Sequence, residues 1–189
     1  MSKTNYILIT EAELPALLAE QQDELSGYEF SEINLTDANL KSAMFLDCKF
    51  TKCNLSNLSL MNVVLKSVQF DGCNLMGVNW TEIRKGGDYN FSNCKLDYGC
   101  FQSIDLRNFK FENCSIREAD FSGANLTKAS FSHSELSGTS FANVNIEKAD
   151  FRRARNYFID PKFAKIKEAK FSFPEALVLI QALGVEVEM

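Results

Sequence analysis

A large apolar residue stands at every fifth position through most of the chain. The first run extends from Leu25 to Trp80, and the second, shifted by one residue, extends from Phe91 to Phe151. All twenty-five positions in the two runs hold Leu, Ile, Phe or Trp. A period of five matches neither an amphipathic helix, which repeats every ~3.6 residues, nor an alternating strand, which repeats every ~2 residues. The pattern therefore predicts a coil in which each pentapeptide forms one short side and a turn, with the apolar residue at its centre pointing inward.

The residue two places before each centre is usually small, and the residue directly before the centre is usually polar. The small positions include Ala38, Ala43, Cys48, Cys53, Cys73, Cys94, Cys114, Ala119, Ala124 and Ala149. A narrow interior explains this choice, and cysteine at such a place acts as a small apolar residue. Of the six cysteines, only Cys100 falls on an outward position. Tyr28, Tyr89 and Phe109 are too large for the small position, so we expect each to push outward or to swell the coil locally.

The repeat resembles that of the pentapeptide-repeat family, whose consensus is Ala, then Asp or Asn, then Leu or Phe, then any two residues. Residues 38–40, 124–126 and 149–151 are clean copies of it. The resemblance covers residues 23–153 and implies an all-β fold. That fold is a right-handed quadrilateral parallel β-helix, a solenoid with four pentapeptides in each coil and short helical caps at both ends.

A coil of four pentapeptides predicts that equivalent side chains recur about every twenty residues. One such column is entirely Phe: Phe30, Phe50, Phe70, Phe91, Phe111, Phe131 and Phe151. The opposite column becomes aromatic along its length: Leu40, Leu60, Trp80, Phe101, Phe121 and Phe141. The remaining two columns are mostly aliphatic. The sequence thus predicts a rod whose interior is filled by four ladders of stacked side chains.

The repeat breaks once, at residues 81–90, where the chain carries one extra residue. The centre expected there falls on Lys85 or Gly86, and neither can fill the interior, so Ile83 is the candidate substitute. Because functional residues often lie where a regular pattern fails, we expect a bulge or small loop that contacts a partner. The candidate contact residues are Arg84, Lys85, Gly86, Gly87 and Asp88. The alternative is a tolerated insertion without a function.

Both ends of a solenoid expose strand edges that must be covered. Residues 1–22 are predicted to form an N-terminal cap, and residues 154–189 a C-terminal segment. In the latter, residues 172–175 have the composition of a capping box, and an almost wholly apolar helix follows up to Gly184. Such a helix must be buried on more than one side, so we expect it to join two copies of the chain. The candidate dimer interface consists of Leu177, Leu179, Ile180, Leu183, Val185 and Val187.

The C-terminal segment resembles one subgroup of the family, the quinolone-resistance and microcin-immunity proteins. The residues that carry this resemblance are Asp160–Pro161 and Leu183–Gly184–Val185. It implies a homodimer joined through the helix, and DNA gyrase or another topoisomerase as the partner. The chain would then be a DNA-mimic-type modulator that protects gyrase against toxins or antibiotics. The alternative is a generic protein-interaction scaffold with an unidentified partner.

Charge limits the mimic hypothesis. The formal net charge is −5, and residues 23–152 hold 17 acidic and 13 basic side chains. A duplex of about 30 Å carries about 18 negative charges, so global charge would not imitate DNA. The same acidic balance argues against direct binding of nucleic acid, which requires a basic face.

No catalytic constellation is recognisable, so we predict a protein that is not an enzyme and needs no cofactor. His133, the single histidine, falls on an outward position and is expected to be solvated. A metal site at the cysteines is disfavoured because the coil alone explains their spacing. No apolar run is long enough to cross a bilayer, and no secretory signal is recognisable, which favours a cytoplasmic location.

Overall fold

Short parallel strands, stacked one coil apart, form the body of the molecule. The structure is a computed structural model that describes residues 6–20 and 24–186. Its strands are β1 (Ile7–Ile9), β2 (Glu24–Ser26), β3 (Tyr28–Ser31), β4 (Met44–Leu46), β5 (Lys49–Thr51), β6 (Val64–Lys66), β7 (Val68–Asp71), β8 (Tyr89–Ser92) and β9 (Phe111–Glu112). Its helices are α1 (Leu14–Glu20), a 3-10 helix (Trp80–Glu82) and α2 (Leu177–Ala182). None of the described helices is long and apolar enough to cross a membrane.

Backbone pairing confirms the coil of four pentapeptides. One sheet has the order β1-β3-β5-β7-β8-β9, and a second has the order β2-β4-β6, with every pair parallel. Phe30 pairs with Phe50, a step of one coil, and Phe70 pairs with Phe91 across the extra residue. Isolated bridges continue the same stacking on the other faces and reach Lys170. The predicted right-handed quadrilateral parallel β-helix is thereby confirmed.

The predicted Phe column forms a continuous stack of rings. It gains one rung beyond the sequence expectation, because Phe171 stacks on Phe151 at 5.4 Å. Neighbouring ring centroids along the ladder lie between 4.7 and 5.5 Å apart. In the opposite ladder Phe101 and Phe121 stack at 4.5 Å, and Phe121 meets Phe111 edge to face at 5.6 Å. Stacking along each ladder and edge-to-face contact between ladders are both favourable arrangements of aromatic quadrupoles.

Most sides of the coil end at a residue with positive φ, two places after the centre. Asn57 has a φ of 56°, Asn113 a φ of 55°, and Gly77 a φ of 70°. Asparagine and glycine adopt this left-handed conformation with little strain, which explains why they recur at the corners.

The buried cysteines serve as small fillers and as hydrogen-bond donors. Cys48, Cys53, Cys73, Cys94 and Cys114 are buried, whereas Cys100 is half-buried, as the pattern predicts. The Cys53 thiol donates to the Phe30 carbonyl oxygen one coil back, at 3.3 Å. Burial raises the pKa of the Cys48 thiol. The Cys48 thiol is therefore packed and protonated.

The two ends are covered differently. At the first coil, Ile9 of β1 and Leu14 of α1 are buried against the core. At the last coil, α2 has no fully buried residue, although Val178 and Leu179 pack against the core.

The predicted capping box at residues 172–175 is wrong. The helix begins later, at Leu177, and its N-terminal cap position carries no side-chain hydrogen bond. The Ser172 hydroxyl instead accepts a hydrogen bond from the Arg153 backbone N–H at 3.1 Å. The side chain that would cap the helix therefore ties the segment to the previous coil.

We predict that Phe111→Ala lowers the free energy of unfolding by about 3–5 kcal/mol, because the ring is fully buried between two stacked neighbours. The measurement is the urea unfolding midpoint followed by circular dichroism. Phe163→Ala is the control, since that ring is 66% exposed and its loss should change stability by less than about 0.5 kcal/mol. Equal losses for the two variants would contradict the ladder as the source of stability.

Candidate functional site

The break in the repeat interrupts the ladder on one face of the rod. The sheet β2-β4-β6 ends at β6, and bridges on that face resume only where Asp105 pairs with Asn125 in the next coil. Two hydrogen bonds hold the ends of the break against β6 and its flank. Arg84 N donates to the Val63 carbonyl at 2.8 Å, and Asp88 N donates to the Leu65 carbonyl at 3.0 Å. Residues 85–87 lie between these two anchors and leave a gap below the coil that contains Asp105.

Local sequence explains why the chain departs from the coil here. The Asn79 side chain accepts from Thr81 N at 3.1 Å and starts the short 3-10 turn Trp80–Glu82. Ile83, the next residue, has an extended backbone conformation, with φ −69° and ψ 155°. Gly86 has a φ of +86°, a conformation that favours glycine, so the loop can reverse direction at this point.

Tyr89 fills the space that the missing centre leaves. Its ring is 2% exposed and lies 5.4 Å from the Trp80 ring and 4.7 Å from the Phe109 ring. Gly87 makes room for it, because a Cβ there would come within 2.9 Å of the Tyr89 ring. Ile83, the substitute expected from the sequence, is half-buried and packs against the core beside it.

Of the two outcomes expected for large residues at the small position, an outward displacement or a local swelling of the coil, the outward displacement is wrong for Tyr89 and Phe109. Both are buried, because the gap in the neighbouring column gives their rings the space that a regular coil lacks. Burial also raises the pKa of the Tyr89 hydroxyl, so the group is neutral at ordinary pH. Tyr28, in the first coil, is half-buried with its ring centroid 6.3 Å from that of Phe30.

A cavity of about 660 Å³ opens between the break and the next coil. Its lining combines aromatic and aliphatic side chains with three cationic groups and one carboxylate. The lining residues are Trp80, Thr81, Ile83, Arg84, Lys85, Gly86, Gly87, Tyr89, Ser103, Ile104, Asp105, Arg107, Asn108 and Phe109. Four of the five candidate contact residues thus border the cavity. The fifth, Asp88, does not border the cavity, and its backbone N–H anchors the end of the break to β6.

The charges around the cavity are not balanced. Arg107 binds Asp105 with two side-chain nitrogens, Nε at 2.8 Å from Oδ1 and Nη2 at 2.6 Å from Oδ2. These hydrogen bonds hold the pKa of the Asp105 carboxyl below its usual value. Arg84 and Lys85 are exposed and form no ion pair within the described part of the chain. The cavity therefore presents two uncompensated positive charges on a protein of net charge −5.

Conventional catalytic and metal-binding groups are not gathered at any point of residues 6–20 and 24–186. His133 is exposed, with Nε2 3.3 Å from Nη1 of Arg153. Within those residues, no group of three or more His, Cys, Asp or Glu side chains is placed to hold a metal ion.

The candidate dimer residues contribute to an exposed apolar surface at the C-terminal end. Ile180, Leu183 and Val185 are 41%, 52% and 50% exposed, respectively. Leu177 and Leu179 are half-buried, and Val187 lies outside the described residues. Sequence reasoning missed three exposed aromatic residues of the same segment, which are Phe158, Phe163 and Phe173. All three stand two places after positions of the five-residue repeat counted on from Phe151, and that offset is the signal that could have identified them as outward residues.

Two family models match the sequence on either side of the break. The model described as "Pentapeptide repeat region" matches residues 87–156. The model described as "Pentapeptide repeats (8 copies)" matches residues 25–57 and 45–79. Together they cover most of the chain and leave out residues 80–86. No curated protein matches the sequence at a significant level.

Solved structures resemble this chain at low sequence identity. A trypsin-treated variant of QnrB1, titled a plasmid-mediated fluoroquinolone resistance protein, is 20% identical with a TM-score of 0.52. The match covers 87% of this chain and 90% of that one. HetL from the cyanobacterium Nostoc sp., titled a protein involved in heterocyst differentiation regulation, is 18% identical with a TM-score of 0.47. That match covers 85% of this chain and 92% of the other. At these identities the likeness concerns the fold.

We predict that Tyr89→Ala lowers the free energy of unfolding by about 3–5 kcal/mol, because it empties the space that the ring occupies in the interrupted column. Tyr89→Phe is the matched control and should cost less than about 1 kcal/mol, since it keeps the ring. Urea unfolding of the two variants provides the comparison. A Tyr89→Ala protein as stable as the Phe variant would show that the ring does not support the break.

Proposed function

The chain belongs to the pentapeptide-repeat family, and from that premise we propose that it acts as a non-enzymatic binding protein. The observation that carries this proposal is the uniform rod, whose interior is closed by stacked side chains over eight rungs of the Phe ladder. Seven steps of about 4.8 Å give a length of about 34 Å. Such a rod offers long outer faces with an irregular place at residues 84–88, which suits recognition by shape.

We further propose that the partner is a DNA topoisomerase, with DNA gyrase the first candidate. Two observations support this step. The C-terminal residues Asp160–Pro161 and Leu183–Gly184–Val185 resemble the quinolone-resistance and microcin-immunity subgroup. QnrB1, whose title describes fluoroquinolone resistance, has the same fold over most of both chains. On this proposal the protein occupies the place of DNA on the enzyme and lessens the action of gyrase-directed toxins or antibiotics.

The contact would depend on shape and local patches more than on net charge. Carboxylates on the rod are interspersed with cations one coil away, as Glu29 is with Lys49 at 3.2 Å and Glu32 with Lys52 at 3.2 Å. Between residues 24 and 170, no carboxylate stands directly above another at the equivalent position of the next coil. The exposed break with Arg84, Lys85, Gly86, Gly87 and Asp88 is the proposed local contact, because it is the irregular place on the rod.

The balanced charge also favours a second candidate, an interaction scaffold for a different protein. A DNA-binding saddle selects a negative surface, whereas Arg84 and Lys85 at the break are cations without an ion pair among the described residues. A partner with an acidic patch would fit the break better than a topoisomerase channel would. The two candidates therefore differ in the sign of the surface that the partner must present.

A fluoroquinolone inhibits the DNA supercoiling activity of gyrase. We expect the protein, at micromolar concentration, to restore part of that activity. The measurement is a supercoiling assay with and without drug and with and without the protein. The effect should weaken as salt rises if local charged patches contribute. No change in supercoiling under any of these conditions would exclude gyrase and leave the scaffold candidate.

We propose that the C-terminal helix joins two copies of the chain, since Ile180, Leu183 and Val185 leave apolar surface exposed beside the last coil. Ile180→Asp/Leu183→Asp should convert a dimer to a monomer in sedimentation velocity while the circular-dichroism spectrum stays unchanged. Met61→Asp is the control, because Met61 is 45% exposed on the side of the rod, away from the proposed interface. A wild-type protein that sediments as a monomer would refute the interface.

A further inference from the structure

We infer that the cavity at the break binds a small planar anion, an aromatic ring that carries a carboxylate. This inference is independent of the proposed partner, because it concerns the chemistry of the cavity itself. Its starting point is size: about 660 Å³ lies within the range of roughly 300–1,000 Å³ typical of small-molecule sites.

The walls provide the apolar surface that an aromatic ring requires. Trp80, Tyr89 and Phe109 form one cluster of rings, with Tyr89 stacked on Trp80 and edge to face against Phe109. Ile83 and Ile104 add aliphatic surface and are only half-buried, so apolar area remains to be covered. The three rings are themselves only 0%, 2% and 8% exposed, so a flat ligand ring would lie mainly against Ile83 and Ile104.

The cationic rim of the cavity, formed by Arg84 and Lys85, favours a ligand with negative charge. Arg84 and Lys85 border the cavity without an ion pair among the described residues, whereas the single lining carboxylate, Asp105, is held by Arg107. An arginine and a lysine side by side are suited to a carboxylate, since the guanidinium can bind both of its oxygens. The same two charges would repel a cationic ligand.

Two hydrogen-bond donors at the cavity lack acceptors. In regular coils the backbone N–H before the centre donates to the coil below, as Cys100 N donates to the Val78 carbonyl at 3.1 Å. Asp105 N–H occupies the equivalent place above the break and has no acceptor among the described residues, because the chain below has moved away. The indole Nε1 of Trp80 is buried and likewise has no partner within the described part. The Asp105 N–H therefore favours an oxygen-bearing ligand at the cavity, whereas the indole N–H is enclosed by the core.

The site contains its own reporter, because Trp80 is the only tryptophan of the chain. A nitroaromatic ring held beside an indole quenches its fluorescence. Three probes share one ring and differ in charge: para-nitrobenzoate, para-nitrobenzyl alcohol and para-nitrobenzylammonium. We expect saturable quenching by para-nitrobenzoate with a dissociation constant between about 0.05 and 2 mM. The neutral alcohol should bind about tenfold more weakly, and the cation should give no saturable quenching.

Removal of the rim charges tests the assignment. Arg84→Gln/Lys85→Gln should weaken para-nitrobenzoate about tenfold and leave the neutral alcohol unchanged. Lys41→Gln/Arg117→Gln is the control, since it removes the same net charge from exposed positions outside the cavity lining and should leave all three titrations unchanged. Circular dichroism verifies that both variants keep the fold.

Two results would overturn the inference. Quenching that rises linearly with concentration and equally for the three probes would show collision without a site. Equal weakening of para-nitrobenzoate by both double variants would show that only the global charge of the protein matters. Either result leaves the proposed topoisomerase function untouched, because the supercoiling assay measures that function separately.

Discussion

Stacking of a side chain on its equivalent one coil away is the interaction on which every other feature of this protein depends. Each buried centre contacts one neighbour above and one below, as Phe111 does with Phe91 and Phe131 at 5.3 and 4.8 Å. The backbone follows the same step, because strands pair in parallel with their counterparts one coil away. Burial of the centres provides the main driving force, and the backbone ladder fixes the spacing. The packing environment of a residue is therefore determined more by the other residues of its column than by its neighbours in sequence.

This dependence explains why so much of the fold could be predicted from the sequence. A column is visible as a repeat at a fixed step, so the Phe ladder and the inward cysteines were predictable without coordinates. The corners also leave a signal, since Asn and Gly recur two places after the centre, but that signal becomes meaningful only with the positive φ of Asn57 and its equivalents. Where a side chain packs mainly within its own column, the structure agrees with the prediction from the sequence repeat.

Sequence reasoning was wrong where a residue has more than one available partner. Tyr89 was expected to push outward or to swell its own narrow column, yet it turns into the space left by the adjacent column. Ser172 was expected to cap a helix, yet its hydroxyl accepts from Arg153 in the previous coil. The cavity itself could not be predicted, because it depends on the distance by which residues 85–87 leave the coil. Such choices between competing contacts are decided by three-dimensional packing and leave no periodic signal.

The solenoid can hold a cavity because only one of its four faces is interrupted there. Phe70 still pairs with Phe91, Asn74 with Lys95, and Asn79 with Cys100, so three faces carry the ladder across the break. The fourth face is repaired from inside by Tyr89 and anchored by the hydrogen bonds of Arg84 and Asp88 to the coil below. The unpaired charges of the break thus lie on residues outside the ladders. Substitutions at Arg84 and Lys85 can change what the cavity binds while the ladders remain intact, and a site of this kind can change its ligand without a change of fold.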